Sequence, residues 1–427
     1  MSAAFTLELA RRRDAADPLR AHRQAFAHPL DAAGRELVYL CGHSLGLAPR
    51  AARARVLEEI EDWERLGVAG HHDARRPWVE YAELLRGSLA CLVGAEPSDV
   101  VAMNSLSVNL HLLLASFYRP QGRRTRILVE AGAFSSDRHA VVGQIGWHGL
   151  DPASELVELA PSPGEVLLEE TAIEAAIAAQ GERLALVLWP GVQFRTGQAF
   201  DCARIARAAH AVGALAGFDH AHAIGNLPLS LRDDDADFAA WCSYKYLNGG
   251  PGAIGGAYVH PRHAASADLP RLAGWWGHES GSRFAMRAGF VPAPGAAGWA
   301  VSNPPILSAA PLLASLAEFD AAGMAALRRK SVELAACAER IVASRGGGAL
   351  QLLTPSEPQR RGAQLSLRCV AGEARSRALF RRLGELGVVC DFREPDVLRI
   401  AAAPLYCGFE DVWQFGERLA LALEQTA

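Results

Sequence analysis

Apolar residues along this chain change their period more than once, and the changes divide it. Between positions 126 and 259, short apolar runs rich in β-formers alternate with helical patterns. Arg126 to Val129 (RILV), Leu184 to Trp189 (LALVLW), Leu215 to Phe218 (LAGF), Phe238 to Ser243 and Ile254 to Val259 are expected as strands. Runs that are apolar on both faces suit a mostly parallel sheet covered by helices. Asp201 to Val212 carries Ile205, Ala208, Ala209 and Val212 at helical spacing, with Asp201 to cap it and Gly213 to stop it, so this stretch reads as a βαβ crossover.

Upstream, Ala51 to Leu66 reads as an amphipathic helix through Val56, Ile60 and Trp63, ending at Gly67; Val79 to Leu92 is another, and a third begins at Asn104. After Asn303-Pro304-Pro305 the pattern shifts: Pro311 to Ser344 is expected helical with one break near Gly323. Short strands follow at Gln364 to Cys369, Val388 to Phe392 and Leu398 to Ala401, with helices at Glu373 to Leu386 and Phe409 to Glu424. The expected fold class is α/β, with a segment 1–50 joining the small domain, a large domain 51–303 and a smaller α+β C-terminal domain 304–427.

A chain of 427 residues, half of them hydrophobic, buries a large core and is long for one compact unit. A net charge of −4 with mixed signs gives no footprint for nucleic acid, so a small polar metabolite is the expected partner. The longest apolar run, Leu110 to Phe117, is far below the roughly 20 residues of a spanning helix, and the N-terminus lacks a secretory pattern. No membrane association and a cytoplasmic location are the expectation. Eight cysteines without any CxxC pair read as buried free thiols.

The chemistry concentrates at Ser243-Tyr244-Lys245-Tyr246-Leu247-Asn248-Gly249-Gly250, where a lysine follows an apolar strand and enters a glycine stretch. Another strand ends at Phe218-Asp219-His220-Ala221-His222. In open α/β sheets ligands sit beyond the carboxyl ends of strands, so Asp219 and Lys245 are expected to face one crevice. An amine that forms an imine and an acid that holds a pyridine nitrogen protonated are what pyridoxal 5′-phosphate requires. Asn104-Ser105-Leu106-Ser107-Val108-Asn109, opening an apolar helix, suits its phosphate. Taken singly, Lys245 also reads as a surface lysine, Asp219 as a turn cap and the serines as an ordinary helix cap.

The neighbouring blocks resemble kynureninase, a fold-type I pyridoxal phosphate family of the class V aminotransferase-like group. They are YLCGHSLGL (Tyr39 to Leu47), GHHDARRPW (Gly70 to Trp78), MNSLSVNLHLL (Met103 to Leu113), FDHAHAIGN (Phe218 to Asn226), WCSYKYLNGG (Trp241 to Gly250), GWWGHE (Gly274 to Glu279), SNPPIL (Ser302 to Leu307) and LRIAAAPLY (Leu398 to Tyr406). Eight blocks in order from Tyr39 to the C-terminus make the resemblance specific.

The resemblance implies that Lys245 forms the imine, Asp219 holds the ring nitrogen with His222 beside it, and Phe134 stacks on the ring with Asp137 in support. It implies that Leu106, Ser107 and Tyr244 meet the phosphate, and that Trp275 and Asn303 reach the site from the partner subunit of a homodimer with shared active sites. Arg399 clamps the substrate carboxylate through its planar fork, and His71 and Ser302 sit near the aryl end. Each has a plainer reading: Phe134 as a core aromatic, Trp275 beside Trp276 as packing, His71 and His222 as satisfied polar groups, Arg399 paired with Asp396. His72 and His220 invite a metal site, set aside because a hydrolytic zinc needs three converging ligands.

The chain departs from the family pattern at His43, often Asn, and at Pro190, often Ser, which removes a hydroxyl and an N–H beside the cofactor. The implied activity is a pyridoxal phosphate-dependent hydrolase that splits Cβ–Cγ of L-kynurenine or its 3-hydroxy form into alanine and anthranilate or 3-hydroxyanthranilate. That belongs to tryptophan catabolism, whose kynurenine pathway also feeds NAD biosynthesis. Protonation of the alanine carbon can involve Tyr244. The rivals are an aminotransferase or cysteine desulfurase of the same fold, and a pyridoxal phosphate-sensing regulator, for which fewer than 50 residues precede the first block.

Overall fold

A computed structural model of the chain describes residues 5–266, 269–286 and 288–426. Its larger sheet has seven strands in the order Val100–Ala102, Gly256–Val259, Phe238–Trp241, Leu215–Asp219, Leu184–Pro190, Arg126–Glu130, Leu156–Leu159. Gly256–Val259 runs antiparallel to both neighbours, and the strands from Phe238–Trp241 to Leu156–Leu159 pair in parallel. These strands are buried almost throughout, which is why they lack alternation in sequence. The crossover helix Cys202–Ala211 starts where Asp201 accepts from Arg204 N at 3.0 Å and stops before Gly213, whose φ of 76° suits glycine.

The chain steps from Arg126–Glu130 outward to Leu156–Leu159 and then back across to Leu184–Pro190. Strand addition therefore changes direction at Arg126–Glu130, and a crevice opens beyond the carboxyl ends of these strands. The residues that end the three neighbouring strands are Glu130, Pro190 and Asp219, with Pro190 and Asp219 in register.

A second, antiparallel sheet has the order Leu350–Leu352, Gln364–Cys369, Val397–Ala401, Asp391–Arg393. The stretch expected as one strand over Val388 to Phe392 is two: Val388–Val389 pairs in parallel with Val38–Tyr39, and Asp391–Arg393 turns to pair with Val397–Ala401. Helix Leu7–Ala16 packs on helix Phe409–Gln425, whose first N–H groups at Phe409 and Glu410 donate to Asp14 at 2.7 and 2.8 Å.

Two helical expectations are corrected. The helix expected from Pro311 begins at Ile306, with Pro311 inside it, and packs along helix Arg50–Leu66 before the break at Gly323. In Arg50–Leu66 the expected face of Val56, Ile60 and Trp63 is buried only in part: Val56 and Ile60 are half-buried, Val56 against the core, but Trp63 is 61% exposed, whereas Glu59 and Asp62 are buried. Polar partners decide this. Glu59 accepts from Arg76 at 2.6 Å, Trp78 at 3.2 Å and Tyr81 at 3.0 Å, and Asp62 accepts from Arg65 at 3.0 Å and Arg75 N at 2.8 Å. Among the described residues no single helix is long and apolar enough to cross a membrane.

Candidate active site

Beyond the carboxyl ends of the parallel strands lies a cavity with an empty volume of about 470 Å³, lined by Phe134, Asp137, Asp219, His222 and Lys245 together with Glu130, Pro190 and Phe194. Five of the expected site residues thus share one enclosure: Asp219 ends a strand, His222 and Lys245 lie in turns after strands, and Phe134 and Asp137 open helix Ser135–Trp147. Asp219 ends its strand, and its Oδ1 accepts from Ala221 N at 2.7 Å, which orients the carboxylate. Lys245 follows Phe238–Trp241 and is buried, its Nζ 5.8 Å from the ring centres of both Phe134 and Tyr244. Among the described residues Lys245 makes no salt bridge. A buried amine without an ionic partner is expensive for stability alone, so a reactive role fits it better than a structural one.

The turn that carries Lys245 is braced from the N-terminal segment. Gly46 N donates to Tyr244 O at 2.9 Å, and a Cβ at position 46 would lie 2.4 Å from Lys245 O. Only glycine permits that approach. Gly191, just after Pro190, is constrained likewise by the buried ring of His220, 2.3 Å from where its Cβ would stand. His220 stacks on Phe218, and burial pulls its imidazole down to about 3, which keeps it neutral.

Three carboxyl groups surround the cavity with one amine. Asp137 neighbours Asp219, and burial followed by the Asp219 charge holds it well above the usual carboxylate range. Asp137 Oδ1 and His222 Nδ1 are buried in the cavity's lining without a protein partner, and a planar polar group entering the cavity would meet them. Burial, then the nearby Lys245 and Arg399 charges, keep His222 neutral. Burial also raises the Tyr244 phenol, which therefore stays protonated at neutral pH.

Helix Leu106–Phe117 begins with Ser105 as its cap and Asn104 at φ 44°, one residue beyond the expected Asn104 start. Its first N–H groups have no helical partner, and Ser107 Oγ lies 2.5 Å from Ser136 Oγ, next to Asp137. Arg399 is fully buried, faces Asp391 across the strand pair and forms an ion pair with it. Its Nη1 also donates to Phe194 O at 2.5 Å, at the cavity wall. The alternative partner Asp396 pairs instead with Arg195 at 3.1 Å. His43 is buried, its Nε2 3.9 Å from Asp391 Oδ2.

Eight expected residues are not in the cavity's lining: Leu106, Ser107, Tyr244 and Arg399, placed above, and Trp275, Ser302, Asn303 and His71. Trp275 is 47% exposed and donates to Arg283 O at 3.1 Å; Ser302 and Asn303 are exposed, and His71 packs on Trp78 with ring centres 5.4 Å apart. Conversely, the reading of the sequence passed over Glu130, Phe194 and Asp391. The signal for Glu130 was present: an acid closing the apolar run RILVE.

Comparison with known proteins agrees in kind with this geometry. Residues 327–419 match the family description "Kynureninase C-terminal domain". The kynureninase of Xanthomonas euvesicatoria pv. vesicatoria (strain 85-10) is 58% identical over 406 residues, 95% of this chain and 96% of that protein. The kynureninase of Xanthomonas oryzae pv. oryzae (strain PXO99A) is 58% identical over 402 residues, 94% and 95% of the two chains. Among solved structures, the cysteine desulfurase CsdA from Escherichia coli superposes with a TM-score of 0.76 at 20% identity over 95% of this chain and 98% of its own. A C-DES mutant, K223A, with glycine covalently linked to its PLP cofactor gives 0.75 at 19% over 90% and 96%. At that identity the structural likeness establishes the fold-type I architecture only. The two Xanthomonas enzymes match over nearly their whole length, and on that ground the chain belongs to the kynureninase family.

Proposed function

We propose that this cavity binds pyridoxal 5′-phosphate and hydrolyses the Cβ–Cγ bond of L-kynurenine or 3-hydroxy-L-kynurenine, giving L-alanine and anthranilate or 3-hydroxyanthranilate. The observation that carries the reading is that Lys245 and Asp219 line one enclosure in which the buried Asp137 Oδ1 and His222 Nδ1 have no protein partner. Bound there, the cofactor supplies an electron sink for an amino acid joined to it. Lys245 is the residue that holds it covalently and, once released, stands where it can move a proton at the substrate α-carbon. Asp219, already oriented by Ala221 N, pairs with the ring nitrogen, and a neutral His222 lies beside it without competing for that charge. Phe134 covers the ring, and Asp137 supports it as a protonated carboxyl.

The free N–H groups at Leu106 and Ser107, with the phenol of Tyr244, receive the phosphate. Pro190 offers no donor, so Phe134, Asp137 and His222 take a larger share of ring contacts. Arg399 takes the substrate carboxylate, exchanging Asp391 for it. Trp275, Asn303, Ser302 and His71 act across a homodimer interface near the aryl end of the substrate. The exposure of Trp275, Ser302 and Asn303 away from their own chain's cavity supports that reading. We place the enzyme in the cytoplasm, with the division at 50 and 303 as its domain plan.

Seven of the eight cysteines are buried, and exposed Cys91 does not line the cavity, which disfavours a desulfurase. Incubation with kynurenine and a fluorescence scan for anthranilate tests the function. Stoichiometric anthranilate and alanine are expected; transamination, or sulfide from cysteine without anthranilate, would sink the reading. Turnover on the two substrates compared side by side assigns the preferred one.

A further inference from the structure

Residues 40–46 bridge the two elements between which the head group of an amino acid must lie. At one end Leu40 O accepts from Ala401 N at 2.8 Å, on the strand that carries Arg399; at the other, Gly46 N donates to Tyr244 O at 2.9 Å, next to Lys245. His43 stands in the middle of this bridge and is fully buried, with neither ring nitrogen bonded to protein. Burial, then the charges of Arg399, Arg393 and Lys245, keep its imidazole neutral, so it carries one N–H and has nothing to give it to. A buried donor without a partner costs stability, and none of the chemistry assigned above uses this one.

The groups around His43 identify the partner it lacks. Asp391 Oδ2 is held by Arg399 and by Arg393, the latter at 3.1 Å, and the same oxygen lies 3.9 Å from His43 Nε2, just beyond hydrogen-bond reach. The place of a carboxylate oxygen on the Arg399 fork is therefore marked in the structure, and it adjoins His43. Arg399 Nε is likewise buried without a partner. Cys41, His43 and Asp391 bring their ligand atoms within 4.8 Å of one another. Two guanidinium groups against one carboxylate nevertheless leave a positive excess there, which repels a cation and favours an anion.

We propose that His43 is a substrate-binding residue whose ring N–H donates to the α-carboxylate that takes the place of Asp391 on Arg399. The carboxylate then has a charged donor on one side and a neutral one on the other. Asp391 keeps its bond to Arg393, so no charge is left unpaired and no proton changes hands. This rests on the functional reading above and extends it to the head group, which the substrate shares with the product alanine.

Holoenzymes of wild type, His43→Leu and His43→Asn are titrated with L-alanine and with L-alaninamide, which carries a neutral amide in place of the carboxylate. Binding is read from the absorption of the covalently held cofactor. His43→Leu should lower the preference for alanine over its amide about tenfold, the worth of one hydrogen bond to a charged group. His43→Asn keeps an N–H donor and should restore part of that preference. The KM for kynurenine should rise in parallel, with kcat changed less. Because His43 has no protein partner to orphan, melting temperature and bound cofactor should stay near wild type in both variants.

The proposal is overturned if His43→Leu weakens alanine and alaninamide equally or weakens neither, or if His43→Asn is no better than His43→Leu. A loss that follows melting temperature or bound cofactor alone overturns it too, since the residue is then structural. The two readings fail separately. Wild type and variants that behave as expected toward alanine without forming anthranilate from kynurenine refute the reaction and support the carboxylate site; normal hydrolysis with an unaltered preference in His43→Leu refutes the role of His43 alone.

Discussion

The large sheet buries an acid at each of its two ends, and the two acids are treated oppositely. Asp237, just before strand Phe238–Trp241, is fully buried and saturated: it accepts from Ala216 N at 2.7 Å, Arg262 at 2.7 Å, His210 at 2.8 Å and His263 at 2.6 Å. Asp219, at the opposite edge, meets one backbone N–H and the neighbouring carboxyl of Asp137, and the nearby Lys245 makes no salt bridge among the described residues. A buried charge whose lone pairs are all taken contributes stability; one left with open valences is held in place by the fold for something that is not protein. On the proposed function, the same sheet spends its amino-end acid on folding and its carboxyl-end acid on chemistry.

Substitutions can break this contrast. Lys245→Ala carries the largest effect: turnover of kynurenine and the absorption of the covalently held cofactor should vanish together, while the cofactor-free protein loses no more than about 1 kcal/mol in urea, since no ionic partner is orphaned. Normal turnover would remove Lys245 from its role. Asp237→Ala should do the reverse, costing about 3 kcal/mol of stability while the folded fraction retains its affinity for the cofactor. A midpoint unchanged from wild type would end the comparison.

Arg399 sits between the two types: it is paired to Asp391 and Phe194 O with its Nε left without a partner, and the proposed function gives it the substrate carboxylate. Arg399→Ala should raise KM for kynurenine by about tenfold or more, the worth of a charge-assisted pair, with cofactor absorption intact. Loss of the cofactor with KM unchanged would mean that the assignment is wrong.

The smallest effect concerns pH. The Asp237 hydrogen bond raises the His210 imidazole, so its contribution is full below its unfolded value near 6.5 and is lost as pH rises through the higher folded value. Asp237 itself is held far below the ordinary range by these imidazoles, Ala216 N and Arg262 against its burial, so its contribution is lost only as pH falls well into acid. Comparing urea midpoints at pH 6 and pH 8, wild type should lose about 1 kcal/mol more than His210→Gln; equal slopes would refute the pairing.

Reading the chain as a string worked where residue type and strand periodicity together carry the meaning. Asp219 and Lys245 stood out because an acid and an amine each closed an apolar run, and five of the expected residues do meet in one cavity. Glu130 was passed over because the expected strand stopped at Val129, one residue short of it. Trp63 was misplaced because periodicity scores apolarity, whereas Glu59 and Asp62 are buried by partners at Arg75, Arg76, Trp78 and Tyr81 that lie beyond the end of the helix. Val388 to Phe392 was read as one strand because nothing local marks the change of partner from Val38–Tyr39 to Val397–Ala401.

The sequence by itself determined the parallel sheet, the crossover helix at Asp201, and the amine and acid at the ends of buried strands. Those depend on local patterns of burial and on chemistry that few residue types can perform. Only the tertiary structure decided which acids keep a partner and which do not. It set Glu130 between two cavities, gave Arg399 to Asp391 rather than Asp396, and turned Trp63 outward. Pairing between residues distant in sequence is fixed by three-dimensional geometry, and no local period encodes it.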